Sequence, residues 1–276
     1  MARAEGKSDK GVDLFAVRSV LFLPASNPRA IAKARESAAD LVVLDLEDAV
    51  KPADKASARD AAVDAVAETW PMPVAIRVNG VGTEWHSLDL DAVARSSADF
   101  AVVPRALSGH LMRGVRGIVA KPVLAMVETA AGVLAGAEMA PETAGLIAGT
   151  NDLRADLRLP LGAGRENISA ALQLIVLAAR AAGVPVFDGV FNRLDDPDGF
   201  LAEAEEGRRL GFDGKSLIHP NQIAPCHQAF APGEDEVERA RALVAAFGGG
   251  AERFNDEMIE RMHVVAAQRV LDRANA

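Results

Sequence analysis

Three carboxylates, Asp45, Glu47 and Asp48, crowd into the stretch LDLEDAVKPADK, directly after the apolar run ADLVV and directly before a Lys-Pro turn. That much like charge at the end of a buried strand stays ionised only where a cation or an array of donors meets it. Two further acids close apolar runs in the same way, Glu128 in AMVETA and Asp152 in AGTNDL. Such a pair suits a hard cation, since Mg2+ takes one or two protein carboxylates and fills its other positions with water and substrate oxygens. Both acids also open helical stretches, where a carboxylate stabilises the helix N-terminus by about 0.3–1 kcal/mol. Capping and metal binding therefore both stand for Glu128 and Asp152. Arg77 in AIRVNG ends another strand-like run, and its guanidinium fork can grip a carboxylate through two parallel hydrogen bonds. That carboxylate belongs either to a ligand or to one of the first three acids, and the two readings are compatible.

Other chemistries lack their residues. The five histidines form neither H-x-x-x-H nor H-E-x-x-H, and no G-x-S-x-G or Walker sequence occurs, which leaves a zinc hydrolase, a serine hydrolase and a P-loop enzyme without support. His219 in SLIHPNQI reads equally as a residue of a site or of a turn. Lys215 is the lysine nearest to a Schiff-base position, and its glycine neighbour favours the rim. The single cysteine, Cys226, excludes an internal disulfide framework and reads as an inert thiol. With 30 basic and 39 acidic residues the net charge is -9, so nucleic acid is not an expected partner. No apolar stretch approaches the ~18 residues of a membrane span, and the polar opening MARAEGKSDKGV lacks the core of a signal peptide. A cytoplasmic protein is expected.

The elements that must position these residues follow from periodicity. Eight apolar runs of strand length recur: SVLFLPA, DLVVLDL, PVAIRVN, DFAVVPR, PVLAMVE, GLIAGTN, PVFDGVF and DGKSLIH. Strands apolar throughout belong to a parallel sheet covered on both faces, and stretches such as KASARDAAVDAVAE and NISAALQLIVLAARAAG supply the covering helices. Eight such units imply an α/β fold of the (β/α)8 TIM-barrel type; an open doubly wound sheet is weaker because no G-x-G-x-x-G follows the first strand. The expected organisation is a flexible arm over 1–13, the barrel over 14–230, and a C-terminal helical lid or oligomerisation arm over 231–276. That last part reads as two helices, PGEDEVERARALVAAF and NDEMIERMHVVAAQRVLDRA, joined through a flexible GGGAERF. Working residues of such barrels sit at the C-terminal strand ends. Counting those ends places Asp45, Glu47, Asp48, Arg77, Arg105, Glu128, Asp152, Asp188, Lys215 and His219 at one mouth.

Over nearly its whole length the chain resembles the citrate lyase β-subunit-like proteins of the HpcH/HpaI aldolase superfamily. The resemblance is carried by RSVLFLPASNP, LDLEDAV, IRVNG, VETAAGVL, GTNDLRADL and LGFDGKSLIHPNQI. It implies a Mg2+-dependent lyase that cleaves a β-hydroxyacyl-CoA thioester, of the citryl-, malyl- or citramalyl-CoA type, to acetyl-CoA and a 2-oxo acid. It further implies Glu128 and Asp152 as metal ligands, Glu128 thereby also contacting substrate, and Arg77 as the group that binds the substrate carboxylate. Glu47 and Asp48 are candidates to take the hydroxyl proton or to support the metal's waters, while Asp45 reads as structural. Arg18, Arg29, Lys33 and Lys215 are possible contacts for CoA.

The pattern also departs from the family. Asn151 stands where many relatives carry an acid, and Arg105 where many carry lysine. Thioesterase relatives place an aspartate in a C-terminal Met-Val/Ile-Asp stretch and use it for hydrolysis at a neighbour's site; this chain has EMIERM, with Glu260 as the possible hydrolytic acid. A malyl-CoA thioesterase or malate-synthase-like enzyme on the same site is thus one alternative, and a non-catalytic CoA-binding subunit another. A homo-oligomer, with a trimer favoured, is the expected assembly.

Overall fold

The structure, a computed structural model, describes residues 12–274. The expected N-terminal arm falls outside the described residues up to residue 11; Val12 packs against the barrel's core cluster. Eight parallel strands close into a barrel in chain order: β1 Ser19–Pro24, β2 Leu41–Asp45, β3 Val74–Arg77, β4 Phe100–Val103, β5 Val123–Val127, β6 Gly145–Ala148, β7 Val186–Asp188 and β8 Gly214–Leu217. Side chains alternate between the lumen and the helical layer. Val20, Val43, Ala75, Val102, Leu124, Ile147 and Phe187 fill the lumen, and Leu14 and Val17 join the same cluster. The next inward positions along β2, β3 and β5 are Asp45, Arg77 and Met126. Register sets Asp45 beside Arg77 on one flank and opposite Pro24 on the other.

A second polar group lies at the N-terminal ends of the strands. Ser19 Oγ is 2.8 Å and Asp40 Oδ2 is 3.2 Å from the same nitrogen, Nε2, of His227. A Ser–His–Asp relay needs the acid on the other ring nitrogen, so this cluster is a clamp. Asp40 accepts hydrogen bonds from the N–H groups of Arg18 and Ser19 at 2.8 and 3.0 Å. Burial would raise its carboxyl, but His227 and these donors pull it down to about 2. Cys226, buried beside them, donates to the Arg18 carbonyl, and burial pushes its thiol up to about 12, as expected of an inert thiol.

After Ala229 the chain forms a second compact unit. It holds the helix Glu234–Ala246, two short antiparallel strands, β9 Glu252–Phe254 and β10 Glu257–Ile259, and the helix Arg261–Ala274. The expected second helix starting at Asn255 is corrected here. Asn255 and Asp256 take φ of 45° and 63°, the left-handed pair of a two-residue hairpin turn, which Asn and Asp tolerate better than other residues. The hairpin also occupies part of the expected flexible joint. Ile259, buried with Ala240, Leu243 and Ala267, ties it to both helices. No helix among the described residues is long and apolar enough to cross a membrane.

Candidate active site

The strand ends build a pocket of about 390 Å3 lined by Asp48, Arg77, Glu128, Asp152, Asn192 and Ser216 among others. Phe22 and Met126 supply apolar surface to it. Arg77, on β3, donates from Nε to Asp45 Oδ1 at 2.7 Å and from Nη2 to Asp45 Oδ2 at 2.6 Å. Its third arm, Nη1, lies 2.7 Å from Glu47 Oε2 without an aligned hydrogen bond and 3.6 Å from Met126 Sδ. Burial alone would depress the guanidinium's pKa; Asp45, Glu47 and Glu128 outweigh it and hold the group above the usual arginine value. Asp45 also receives the N–H groups of Glu47 (2.8 Å) and Ala49 (3.0 Å). One aspartate thus folds the acid loop back over the strand end and fastens it to Arg77.

Glu47 stands differently. Burial raises its carboxyl to about 8; Arg77 opposes the shift, and Asp48, Glu128 and Asp45 add to it. The close approach to Arg77 does not reverse this, because Asp45 already matches that charge through two aligned bonds. Glu47 is not among the residues lining the pocket, whereas the exposed Asp48 is.

Glu128 follows β5. Its neighbour Thr129 caps the next helix, accepting from Gly132 N–H at 3.0 Å, so Glu128 is free of that duty. Instead it reaches sideways and accepts from Arg105 N–H at 2.6 Å. Arg105 has a φ of 48°, a left-handed backbone that costs a residue with a Cβ about 1 kcal/mol and here aims its N–H at the carboxylate. On the opposite side, a Cβ on Gly149 would lie 2.5 Å from Glu128 Oε2, so only glycine admits the acid there. Burial, then Asp152, lifts Glu128 to about 7 against the Arg105 N–H. Asp152, in the first turn of the helix Thr150–Asp156, is likewise raised, by burial first and then by Asp48. Glu128 and Asp152 thus share one pocket, with Asp152 adding to the raised proton affinity of Glu128, and two hard carboxylates so placed could hold a divalent cation such as Mg2+. Among the described residues no cluster of three or more His, Cys, Asp or Glu offers a fuller ligand set. A cation held there would take its remaining ligands from water and substrate.

Several strand-end residues lie elsewhere than the sequence suggests. Lys215 is fully buried on the outer side of β8, with Nζ 3.0 Å from Asp188 Oδ2 and 2.8 Å from Glu203 Oε1. Asp188, equally buried, takes both its oxygens to Arg165 at 2.9 Å. Neither reaches the mouth, because the alternation of the strand turns them outward. Lys215 is thereby excluded as a CoA contact and as a Schiff-base lysine. Arg18 is excluded as well, since it precedes β1 and pairs with Asp40 at 3.6 Å. Arg29 and Lys33 are exposed on the helix Pro28–Arg35 that follows β1. His219 is a turn residue, its Nδ1 accepting from Asn221 N–H. Asn151 pairs with Asn192 through two amide hydrogen bonds of 2.8 and 3.2 Å, joining the loops after β6 and β7. Glu260 sits in the second unit at the head of the helix Arg261–Ala274. The sequence offered no signal for Lys55, which is buried behind the acid loop.

Comparison with known proteins gives these residues a context. Residues 18–220 match the family model described as HpcH/HpaI aldolase/citrate lyase, and residues 166–276 match one described as a C-C bond lyase of the TIM-barrel fold. The chain is 40% identical to a (3S)-malyl-CoA thioesterase of Cereibacter sphaeroides, over 94% of this chain and 95% of that protein. It is 32% identical to the citrate lyase subunit beta of Escherichia coli, over 93% of each. Among solved structures, the protein CitE from Mycobacterium tuberculosis in complex with magnesium, acetoacetate and coenzyme A superposes with a TM-score of 0.86. It has 34% identity and covers 95% of this chain and 100% of that one.

Proposed function

This chain belongs to the HpcH/HpaI aldolase/citrate lyase family, and from that premise we propose that it is a Mg2+-dependent carbon–carbon lyase acting on a malyl-CoA-type thioester. The observation that carries the reading is the Glu128–Asp152 pair. Both acids line the pocket, both have raised proton affinity, and Glu128 is seated by an N–H on one side and a bare glycine on the other. Glu128 and Asp152 would hold the metal. When bound, Mg2+ supplies a Lewis acid that polarises the carbonyl of the 2-oxo acid.

The chain's own residues do the rest. Arg77 Nη1 has no aligned carboxylate partner, only the unaligned Glu47 Oε2 and the weak acceptor Met126 Sδ, and a substrate carboxylate that aligned with it would be the stronger acceptor. The wall of Phe22 and Met126 keeps water from the reacting carbons, which strengthens each charge interaction inside. In the cleavage direction the hydroxyl proton goes to a carboxylate, the C–C bond breaks, and its electron pair moves into the thioester as an enolate. Protonation at carbon then releases acetyl-CoA, and the other fragment leaves as the 2-oxo acid. Glu47 does not line the pocket itself, so it would exchange the hydroxyl proton through a water beside Asp48, and its carboxyl near 8 suits transfer near neutral pH. Asp48 lines the pocket, where it would order water.

A second reading, thioester hydrolysis, is favoured by the 40% identity to malyl-CoA thioesterases over almost the whole chain. Glu260 is its candidate acid. Product analysis separates the two: incubation of (3S)-malyl-CoA with the protein and Mg2+ is expected to yield acetyl-CoA and glyoxylate. Malate with free CoA would assign hydrolysis instead, and neither pair of products would remove both readings. The same proposal includes a homotrimer, for which light scattering should give three times the 28.9 kDa chain mass.

A further inference from the structure

Lys55 is buried, with 6% of its surface exposed. Its ammonium donates to the carbonyl of Leu46 at 2.8 Å, the carbonyl of Glu47 at 2.6 Å and Asn79 Oδ1 at 2.6 Å. All three acceptors are neutral oxygens, and the fourth neighbour is the ring of Trp85, 5.2 Å from Nζ. A buried ammonium without a bonded counter-ion is costly and fills a position that an apolar side chain would occupy more cheaply. Asp45, Glu47, Asp48 and Asp89 surround it at longer range, so its charge answers the acid loop as a whole.

The bonding extends further. Asn79, after β3, gives both its backbone N–H and its side-chain amide to Asp89 Oδ2, at 2.9 and 2.6 Å, and Asp89 Oδ1 accepts from Arg59 at 2.6 Å. Arg59 and Lys55 share the helix Lys55–Ala67. A closed circuit therefore runs from the acid loop to Lys55, to Asn79, to Asp89 on the helix His86–Arg95, and back through Arg59.

We propose that Lys55 is a positioning residue that acts through Glu47: its ammonium pins the loop backbone at Leu46 and Glu47 and fixes the Glu47 carboxylate against Arg77. Asp45 holds that loop by its N–H groups from the lumen side, and Lys55 holds it by its carbonyls from the other. With its backbone held from both sides, the Glu47 carboxyl keeps its place beside Arg77. This inference rests on the mechanism above for the role of Glu47, and it concerns the loop independently of which thioester is the substrate.

Two measurements test it, with Lys55→Met and, should that variant fold poorly, Lys55→Gln, which keeps an N–H donor. In amide hydrogen exchange of the full chain, Lys55→Met should speed exchange at Glu47, Ala49 and Val50 at least tenfold while the amides of β5 keep their wild-type rates; Lys55→Gln should give a smaller acceleration at the same amides. Unchanged exchange over 47–50 would overturn the proposal whatever the substrate. In turnover, Lys55→Met should lower kcat about tenfold with KM within twofold, and Lys55→Met combined with Glu47→Gln should be no slower than Glu47→Gln alone, within a factor of two. Losses that multiply would mean that Lys55 does not act through Glu47. A wild-type protein that turns over no CoA thioester would defeat the functional reading alone, and the exchange rates would still decide the role of Lys55.

Discussion

Glu47 and Glu128 carry protons at pH values where ordinary glutamates have lost them. Their carboxyls rise to about 8 and about 7 from 4.5. The native state therefore binds more protons than the unfolded chain between pH 4.5 and 8, and their contribution to stability, complete below 4.5, is lost as pH rises through that window. The metal-free protein should melt several degrees lower at pH 8 than at pH 5.5 in differential scanning calorimetry. Glu128→Gln should flatten that decline, gaining on the order of 1–3 kcal/mol at pH 8, while abolishing Mg2+ binding in isothermal titration. A Glu128→Gln protein that bound Mg2+ normally would remove this carboxylate from the metal site. Arg77, Glu128 and Asp152 were legible from the sequence because each ends an apolar run. Lys55 was not, because its bonds to Glu47 and Asn79 depend on how two successive loops fold onto each other, which has no periodic signature. Asp188 and Lys215 misled because strand ends were counted without the inward–outward alternation that turns both into the helical layer.

Eight strands were readable because burial on both faces leaves each one apolar throughout, and the helices between them followed from their charged, alanine-rich spacing. The C-terminal hairpin was not. Its strands ERF and EMI are three residues each, too short for a period-two pattern, and the Asn-Asp turn was absorbed into an apparent helix. The way neighbouring strands approach each other yields a sharper expectation. Glu128 lies against Gly149 between β5 and β6, so Gly149→Ala should push the carboxylate aside, lowering Mg2+ affinity at least tenfold while circular dichroism stays that of a folded barrel. Arg105→Gly should do the reverse of harm: glycine adopts the left-handed backbone freely, the N–H to Glu128 persists, and Mg2+ affinity should stay within about twofold. Loss of affinity in that variant would give the Arg105 side chain a part in metal binding.

At the scale of the molecule, the barrel carries a charge network centred on the fully buried Asp188 and Lys215, with Arg165 and the partly exposed Glu203 around them. Burial would raise the Asp188 carboxyl, and Lys215 and Arg165 hold it below its usual value instead. Removing one member of such a group strands the others without partners at a cost of about 3–5 kcal/mol. Both tryptophans, Trp70 and Trp85, lie in the first unit, so their fluorescence follows that unit alone, and Asp188→Ala should lower the unfolding free energy read from its denaturation curve by that amount. A change under about 1 kcal/mol would mean that the network does not hold β7 and β8 to the surrounding helices. Whether Glu128 and Asp152 hold the metal at the mouth of the barrel is read from anomalous diffraction at the manganese edge, in crystals grown with Mn2+ and glyoxylate. One strong peak is expected roughly 2.1 Å from oxygens of both carboxylates. A peak elsewhere in the chain, or none with the pocket ordered, would contradict it.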